Sequence, residues 1–359
     1  MNSANDTPDV LFEQRKGNSG DLGIITLNRP ASLNALTYEM CVLIDQQLHF
    51  WETDPLIKAV IIQSALPDVF CAGGDVRHLY HQGQEKKYTE ITQFFDVEYR
   101  LNHHIAHYKK PYIAIMNGLT MGGGLGLSVH GQFRVVTESL KMAMPETQIG
   151  FFPDIGGTYF LSRCPYEIGT YLALTGAVIN AAEALFIHLA DVIVPAHDVE
   201  CMIKALQDSA FTDQDTDIIQ ACLQRYHLTV EQPVFFSRRH IIEACFSKNT
   251  IETIIAMLTS YELEWCDAIV AELDHKSPLS LKVTLEALRR GVSMDINSCQ
   301  RMEANLCEHF IRSHDFYEGI RAALIDKDKK PQWAPATLDQ VSVDEVNAFF
   351  LSFVEGDVA

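Results

Sequence analysis

The sequence predicts an α/β fold that gives way to a mainly helical C-terminal region. Three observations carry this. Short β-branched runs alternate with helix-period stretches up to about residue 197; glycine-rich turns follow several of those runs; and from residue 198 onward strand signals fade while amphipathic helical patterns multiply. The expected organisation is therefore an α/β core over residues 1–197 and a helical region over 198–359. No repeat or low-complexity linker separates them, so the second is expected to pack on the first.

Taken in order, residues 23–27 and 59–63 read as strands. Between them Met40, Leu43, Ile44, Leu48 and Trp51 recur at helical spacing and predict a helix with one buried face. Residues 112–116 form the next strand, after a helical stretch. A glycine-rich turn follows, then a strand at 133–137, then a second glycine turn at Gly156-Gly157. Strands alternating with helices imply an α/β fold with crossover connections. In the helical region Ser277-Pro278 marks a helix start, with serine as N-cap and proline in the first turn. Leu281, Leu285 and Leu288 continue on one face, and Gly291 is the expected stop.

Composition limits the function classes. The 359 residues carry 47 acidic and 28 basic side chains, a formal net charge of −19. Such a field repels nucleic acid and anionic membrane surfaces, so neither is an expected partner. No run approaches the roughly 18 uncharged apolar residues of a membrane span. The first ten residues lack both a basic and an apolar segment, so no secretory or transit signal is read there and the expected location is cytoplasmic. The nine cysteines are scattered singly without a CxxC pair, which argues against a disulfide framework or a zinc site and for core thiols in a reducing compartment. His78 and His81, or His103, His104 and His107, lack an evident paired acid or cysteine and read as surface or helix-face histidines; no metal is expected.

Three segments could carry chemistry. Phe70-Cys71-Ala72-Gly73-Gly74-Asp75 follows a strand, and its glycines permit a sharp turn and close ligand approach. Asn117-Gly118 leads into Met121-Gly122-Gly123-Gly124-Leu125-Gly126-Leu127, where a strand ends and a helix begins with free N–H groups. That run fits neither GxGxxG nor GxxxxGK[ST], so it is not a nucleotide loop. Met144-Pro145-Glu146 through Phe152-Pro153-Asp154-Ile155-Gly156-Gly157 places two carboxylates in an apolar stretch. Two donor turns with two carboxylates suit acyl transfer or enolate chemistry, in which negative charge builds on a carbonyl oxygen. The plainer alternatives are tight turns for the glycines, a cap for Glu146 and a turn start for Asp154. Gly126-Leu127-Ser128-Val129-His130 superficially suggests a nucleophile elbow, but it ends in histidine instead of glycine.

Together these segments resemble the crotonase (enoyl-CoA hydratase/isomerase) superfamily. Asn28-Arg29-Pro30 with Asn34-Ala35-Leu36 is similar to its opening signature. Cys71-Ala72-Gly73-Gly74-Asp75 resembles its first oxyanion loop and Gly122-Gly123-Gly124 its second. The resemblance implies a spiral of ββα units followed by helices, and a CoA thioester as substrate with no separate cofactor. It also implies a possible homo-oligomer. It assigns the N–H groups of Gly74 and Gly123 to an oxyanion hole, with Gly73 and Gly122 beside them, and Glu146 to catalysis.

The family's hydratases carry a second acid where this chain has Gly126, and usually glycine where it has Asp154. The pair Glu146 and Asp154 resembles instead the 3-hydroxyisobutyryl-CoA hydrolase branch. So do Tyr99-Arg100-Leu101-Asn102, Ser277-Pro278-Leu279-Ser280-Leu281 and Phe316-Tyr317-Glu318-Gly319. In that branch Glu98 would contact substrate. The implied function is hydrolysis of a short 3-hydroxyacyl-CoA in valine breakdown, with an enoyl-CoA hydratase or isomerase as the alternative. Arg29 and the Lys109-Lys110 pair are candidate contacts for the CoA phosphates.

Overall fold

The computed structural model describes residues 7–211 and 215–352. The reading of residues 1–6 as free of a targeting signal lies outside them. Nine strands are described: β1 (Val10–Arg15), β2 (Asp21–Leu27), β3 (Ile57–Ser64), β4 (Val69–Cys71), β5 (Tyr112–Met116), β6 (Leu119–Met121), β7 (Phe133–Val136), β8 (Lys141–Ala143) and β9 (Val192–Ile193). They form a six-stranded sheet in the order β1-β2-β3-β5-β7-β9 and a three-stranded sheet in the order β4-β6-β8. β1 runs antiparallel to β2, and the other described pairings of the large sheet are parallel. Each of β3, β5 and β7 lies in the large sheet, and the strand that follows it lies in the small one. Repetition of that step is the winding of ββα units that the resemblance implied, and the α/β class holds.

The chain divides into two compact units that interleave in sequence. One contains residues 1–74, 100–142 and 179–233; the other contains 75–99, 143–178 and 234–359. Residue 197 falls inside the first unit. The physical reason is visible in that unit's core. Leu22, Ile24, Ala59, Ile61, Ile113, Ile115, Phe133 and Val135 alternate along their strands and present one apolar face. Met202, Ile203 and Leu206 of the helix Val199–Gln207 and Ile219 and Leu223 of the helix Asp215–Arg225 are buried against it. A sheet with one uncovered apolar face recruits these first helices after residue 198.

The helix Tyr38–Thr53 begins where Thr37 accepts a hydrogen bond from the Met40 N–H. Met40, Ile44, Leu48 and Trp51 are buried as the periodicity predicts, whereas Leu43 is exposed. Gly23 explains Trp51: a Cβ there would stand 2.6 Å from the indole, so only glycine admits the ring onto β2. Lys110 donates to the carbonyls of Trp51 and Asp54 at the end of this helix, and Lys109 pairs with Glu52 at 3.5 Å. Both lysines are thus engaged at a helix C-terminus, where cations are favoured.

No strand is described after β9. In the second unit the helix Pro278–Gly291 has Ser277 as its N-cap and a proline in its first turn. Phe95, Phe151, Phe152, Phe310 and Phe316 form an aromatic cluster with centroid separations of 4.7–5.6 Å. Of the cysteines eight are buried thiols, but Cys201 is exposed. Among the described residues no helix is long and apolar enough to cross a membrane.

Candidate active site

In the first unit the opening motif holds the first glycine turn. Asn34 sits fully buried in the left-handed region at φ 57°. Its amide nitrogen donates to the Phe70 carbonyl at 2.9 Å and the Ser64 hydroxyl at 2.8 Å, and its oxygen accepts from the Arg29 N–H at 2.8 Å. The Leu36 N–H donates to the Gly73 carbonyl at 2.8 Å, and the Ala72 N–H to the Leu33 carbonyl at 3.0 Å. The backbone of residues 70–74 is thereby pinned from one side. Asn34→Ala removes three bonds from a dry site and places alanine at positive φ. It is expected to cost about 3 kcal/mol in denaturant unfolding, and a change below about 1 kcal/mol would show that the turn stands without it.

The second glycine turn lies against the first. Gly73 has φ +97°, and a Cβ on it would stand 3.3 Å from the Met121 carbonyl oxygen and 3.6 Å from the Gly123 nitrogen. A Cβ on Gly124 would meet Cys71 at 2.9 Å. Gly122, at φ 45°, precedes the helix Gly123–Gly126, so the Gly123 N–H is a first-turn donor with no partner inside the helix. Among the described hydrogen bonds neither the Gly74 nor the Gly123 N–H is used by a protein acceptor. The unit therefore gathers Gly73, Gly74, Gly122 and Gly123 in two adjoining turns. Arg29 is engaged elsewhere: it donates to the Ala35 carbonyl at 2.9 Å and lies 3.6 Å from Asp9. Ser128 is buried and donates to the Gly124 carbonyl at 2.8 Å, a structural role.

Gly126 has a specific neighbour. A Cβ there would lie 2.7 Å from the Asn102 amide nitrogen and 2.9 Å from its oxygen. The space a second acid would enter is filled by this fully buried amide. Sequence reasoning quoted Asn102 without giving it this role, because it lies 24 positions from Gly126 and nothing local joins them.

In the second unit Glu98, Glu146 and Asp154 come together, all buried. Glu146 opens a one-turn 3₁₀ helix, Glu146–Ile149, without capping it. Gly150 ends that turn at φ 65°, pressed against the Asp315 carbonyl, where a Cβ would stand 2.4 Å away. Phe151 and Phe152 then bury their rings and carry the chain to Asp154. Tyr99 donates its hydroxyl to Asp154 Oδ2 at 2.7 Å. Oε1 of Glu98 and Oε2 of Glu146 are buried without a protein partner.

Burial sets the electrostatics. It raises Glu146 well above the usual carboxylate range, and the neighbouring charges of Asp154 and Glu98 add to the shift. Glu98 is raised by burial and then by Asp154. Burial lifts Asp154 to about 7 against the Tyr99 hydrogen bond, which favours its anion. The aromatic cluster supplies much of that low-dielectric surrounding. Such a set stores protons near neutral pH and leaves two unpartnered oxygens to accept from water or a hydroxyl.

The shift in Asp154 makes stability fall with pH. Its unfolded value is near 4, so the folded state binds the extra proton between about pH 4 and 7. The cost of ionising it is absent below that window and complete above it. Asp154→Asn is expected to flatten the decline and to stabilise the protein at pH 8 by roughly 2–4 kcal/mol. Urea unfolding at pH 5, 6.5 and 8 tests this; equal slopes in both proteins would refute it.

A further set was not legible in sequence. Asp45, His49 and His104 place one ligand atom each within 4.8 Å of one another, with His104 Nδ1 2.8 Å from Asp45. The expectation that no acid accompanies these histidines fails for His104, because the acid comes from another helix.

The chain was then compared with known proteins. A family model described as enoyl-CoA hydratase/isomerase matches residues 22–350. A Danio rerio protein named "3-hydroxyisobutyryl-CoA hydrolase, mitochondrial" is 40% identical over 361 residues, covering 100% of this chain and 93% of that protein. The Homo sapiens protein of the same name is 40% identical, covering 98% of this chain and 90% of that one. Among solved structures, a carnitinyl-CoA dehydratase from Mycobacterium thermoresistibile superposes with a TM-score of 0.89 at 37% identity, covering 98% of this chain and 99% of that one. An enoyl-CoA hydratase from Rhodobacter sphaeroides gives a TM-score of 0.87 at 36% identity, covering 96% and 98%. With its ββα winding, its paired glycine turns and a match spanning nearly its whole length, this chain belongs to the enoyl-CoA hydratase/isomerase family.

Proposed function

We propose that this chain is an acyl-CoA thioester hydrolase that converts 3-hydroxyisobutyryl-CoA to the free acid and CoA, as a step of valine breakdown. The observation that carries the reading is the replacement of a second acid at Gly126 by the Asn102 amide, together with the buried Glu98, Glu146 and Asp154. Water addition and its reversal use two acid/base groups. A chain without the second one is better suited to thioester cleavage, where the thiolate leaves readily. The curated relatives named as hydrolases support the same reading.

In this mechanism the N–H groups of Gly74 and Gly123 donate to the thioester carbonyl oxygen and stabilise the oxyanion, an effect worth several kcal/mol in a dry site. Glu146 is the catalytic carboxylate. It either attacks the carbonyl carbon, giving an acyl-enzyme anhydride that water opens, or takes a proton from the water that attacks. Asp154 and Glu98 receive the substrate hydroxyl or the water, and Asp154, near neutrality, exchanges the proton. The CoA thioester is the substrate, and no separate cofactor enters the scheme.

The second reading is an enoyl-CoA hydratase or isomerase, favoured by the names of the two solved structures, one a carnitinyl-CoA dehydratase and the other an enoyl-CoA hydratase. Free-thiol release from 3-hydroxyisobutyryl-CoA, measured beside crotonyl-CoA hydration, separates the two. Thiol release without hydration supports the hydrolase; hydration without thiol release replaces it. A cytoplasmic location and a homo-oligomer complete the proposal. The curated relatives carry "mitochondrial" in their names, so cell fractionation decides the first point, and light scattering decides the second.

A further inference from the structure

We propose that Glu303, on the helix Ile296–Phe310, is a positioning residue for Asp154: it clamps the turn that carries Asp154. Glu303 is 1% exposed and lies 149 positions beyond Asp154 in sequence. Its Oε2 accepts from the Gly156 N–H at 2.6 Å, and its Oε1 accepts from the Thr158 N–H at 2.8 Å and from the Thr158 hydroxyl. These donors stand two to four residues after Asp154, at the start of the short helix Gly157–Leu161. Ile155 and Gly156 between them both have positive φ, at 54° and 82°. A left-handed pair of this kind is held by its surroundings, and here one carboxylate holds it through two backbone and one side-chain donor.

The same helix reaches the other side of Asp154. Cys307 stands one turn after Glu303 on the same face. Its buried thiol neighbours the Tyr99 hydroxyl, which donates to Asp154 at 2.7 Å. Asp154 is thus held by Tyr99 on its carboxyl side and through Gly156, Thr158 and Glu303 on its backbone side.

No salt bridge to Glu303 is present among the described residues. Burial pushes it to about 8, its three donors oppose that shift, and the charge of Asp154 adds to it. Asp154 ionises at about 7, where Glu303 at about 8 is still mostly protonated, so Asp154 meets the clamp and not the charge of Glu303. The titratable groups around the pair are Glu98, Tyr99, Glu146 and Cys307 facing Asp154, and Cys299 facing Glu303, with Arg163 and Asp295 acting on Cys299. A carboxylate that served only its own helix would leave the titration of Asp154 unmoved.

The inference deepens the hydrolase reading, but its main test does not depend on it. Carboxyl-carbon NMR of the full chain labelled at aspartate gives the midpoint of Asp154, assigned by its loss in Asp154→Asn. In Glu303→Gln an amide nitrogen must face one of the Gly156 and Thr158 donors, so the turn loosens, water reaches Asp154 and its midpoint is expected to fall toward the ordinary carboxylate value by roughly half a pH unit or more. Thiol release by Glu303→Gln should lose about 10–100-fold in kcat with KM within about threefold, the pattern of a misplaced catalytic group. If Glu303→Gln does not fold, Thr158→Val is read instead; it weakens one donor and should move the midpoint in the same direction by less. An unmoved midpoint in the folded variant overturns the proposal. A shifted midpoint in a protein whose wild type releases no thiol upholds the clamp and overturns the hydrolase reading alone.

Discussion

Glu146→Gln is expected to lower thiol release from 3-hydroxyisobutyryl-CoA by roughly 1,000-fold or more while leaving the fold intact. The amide matches the carboxyl in size, so the packing of the turn Glu146–Ile149 is kept. It can neither take a proton nor attack the thioester. Glu146 Oε2 has no protein partner in its buried position, so the substitution breaks no hydrogen bond there. Because burial and two neighbouring carboxyls already oppose its ionisation, the neutral amide should leave the thermal midpoint at pH 8 at or above that of wild type. This combination, a lost rate with retained stability, marks a group kept for chemistry at the expense of the fold. KM should change little if the carboxylate acts only in the chemical steps. A single turnover in heavy-oxygen water then distinguishes its two roles: label entering Glu146 indicates the anhydride, and label confined to the product acid indicates a general base. A variant within tenfold of wild type would remove Glu146 from the catalytic scheme.

The sequence made the donor turns legible because glycine is required there by local geometry, and local requirements leave local marks. Gly73 is forced by positive φ and close approach and Gly122 by positive φ, and both appear as glycine runs next to strand signals. Glu146 and Asp154 stood out for a similar reason, as lone acids in an otherwise apolar stretch turned by Gly150 and Gly156. The strands that sequence reading passed over are those with the weakest periodic signal. β4, β6 and β8 are three residues long and β9 two, shorter than one period of alternation can reveal. β1 is an edge strand with Val10 as its one fully buried residue, so its pattern reads as polar. Long-range partners were the other omission. Glu303, Asn102 and the Asp45–His104 pair are ordinary polar residues on helices, and only the fold brings them to Thr158, Gly126 and each other. The expected cut at residue 197 falls inside the first compact unit for the same reason. Helical pattern tells which elements form, but the first two helices after the cut belong with the sheet whose apolar face they cover.

Gly126→Glu is expected to destabilise the protein by about 3 kcal/mol or more and to confer no crotonyl-CoA hydration. The substitution restores the acid that the family's hydratases carry at this position, so it tests whether the hydrolase differs from them by one residue or by a repacked neighbourhood. The geometry favours the second. The new Cβ would stand 2.7 Å from the Asn102 amide nitrogen and 2.9 Å from its oxygen, distances that the amide must yield to before the rest of the side chain is placed. Asn102 is fully buried on the helix Tyr88–Ala106, so the glutamate would arrive in a dry site. The glutamate would either push that helix outward or enter uncharged, and a protonated acid held in a strained rotamer does not deliver water to an alkene. Asn102→Gly combined with Gly126→Glu removes the collision, and the double variant should recover a large part of the lost stability. If it also gains crotonyl-CoA hydration, the Asn102 amide is what excludes the hydratase reaction. If Gly126→Glu alone is as stable as wild type and hydrates crotonyl-CoA, the space at residue 126 is open, and the argument that this neighbourhood commits the chain to hydrolysis is lost.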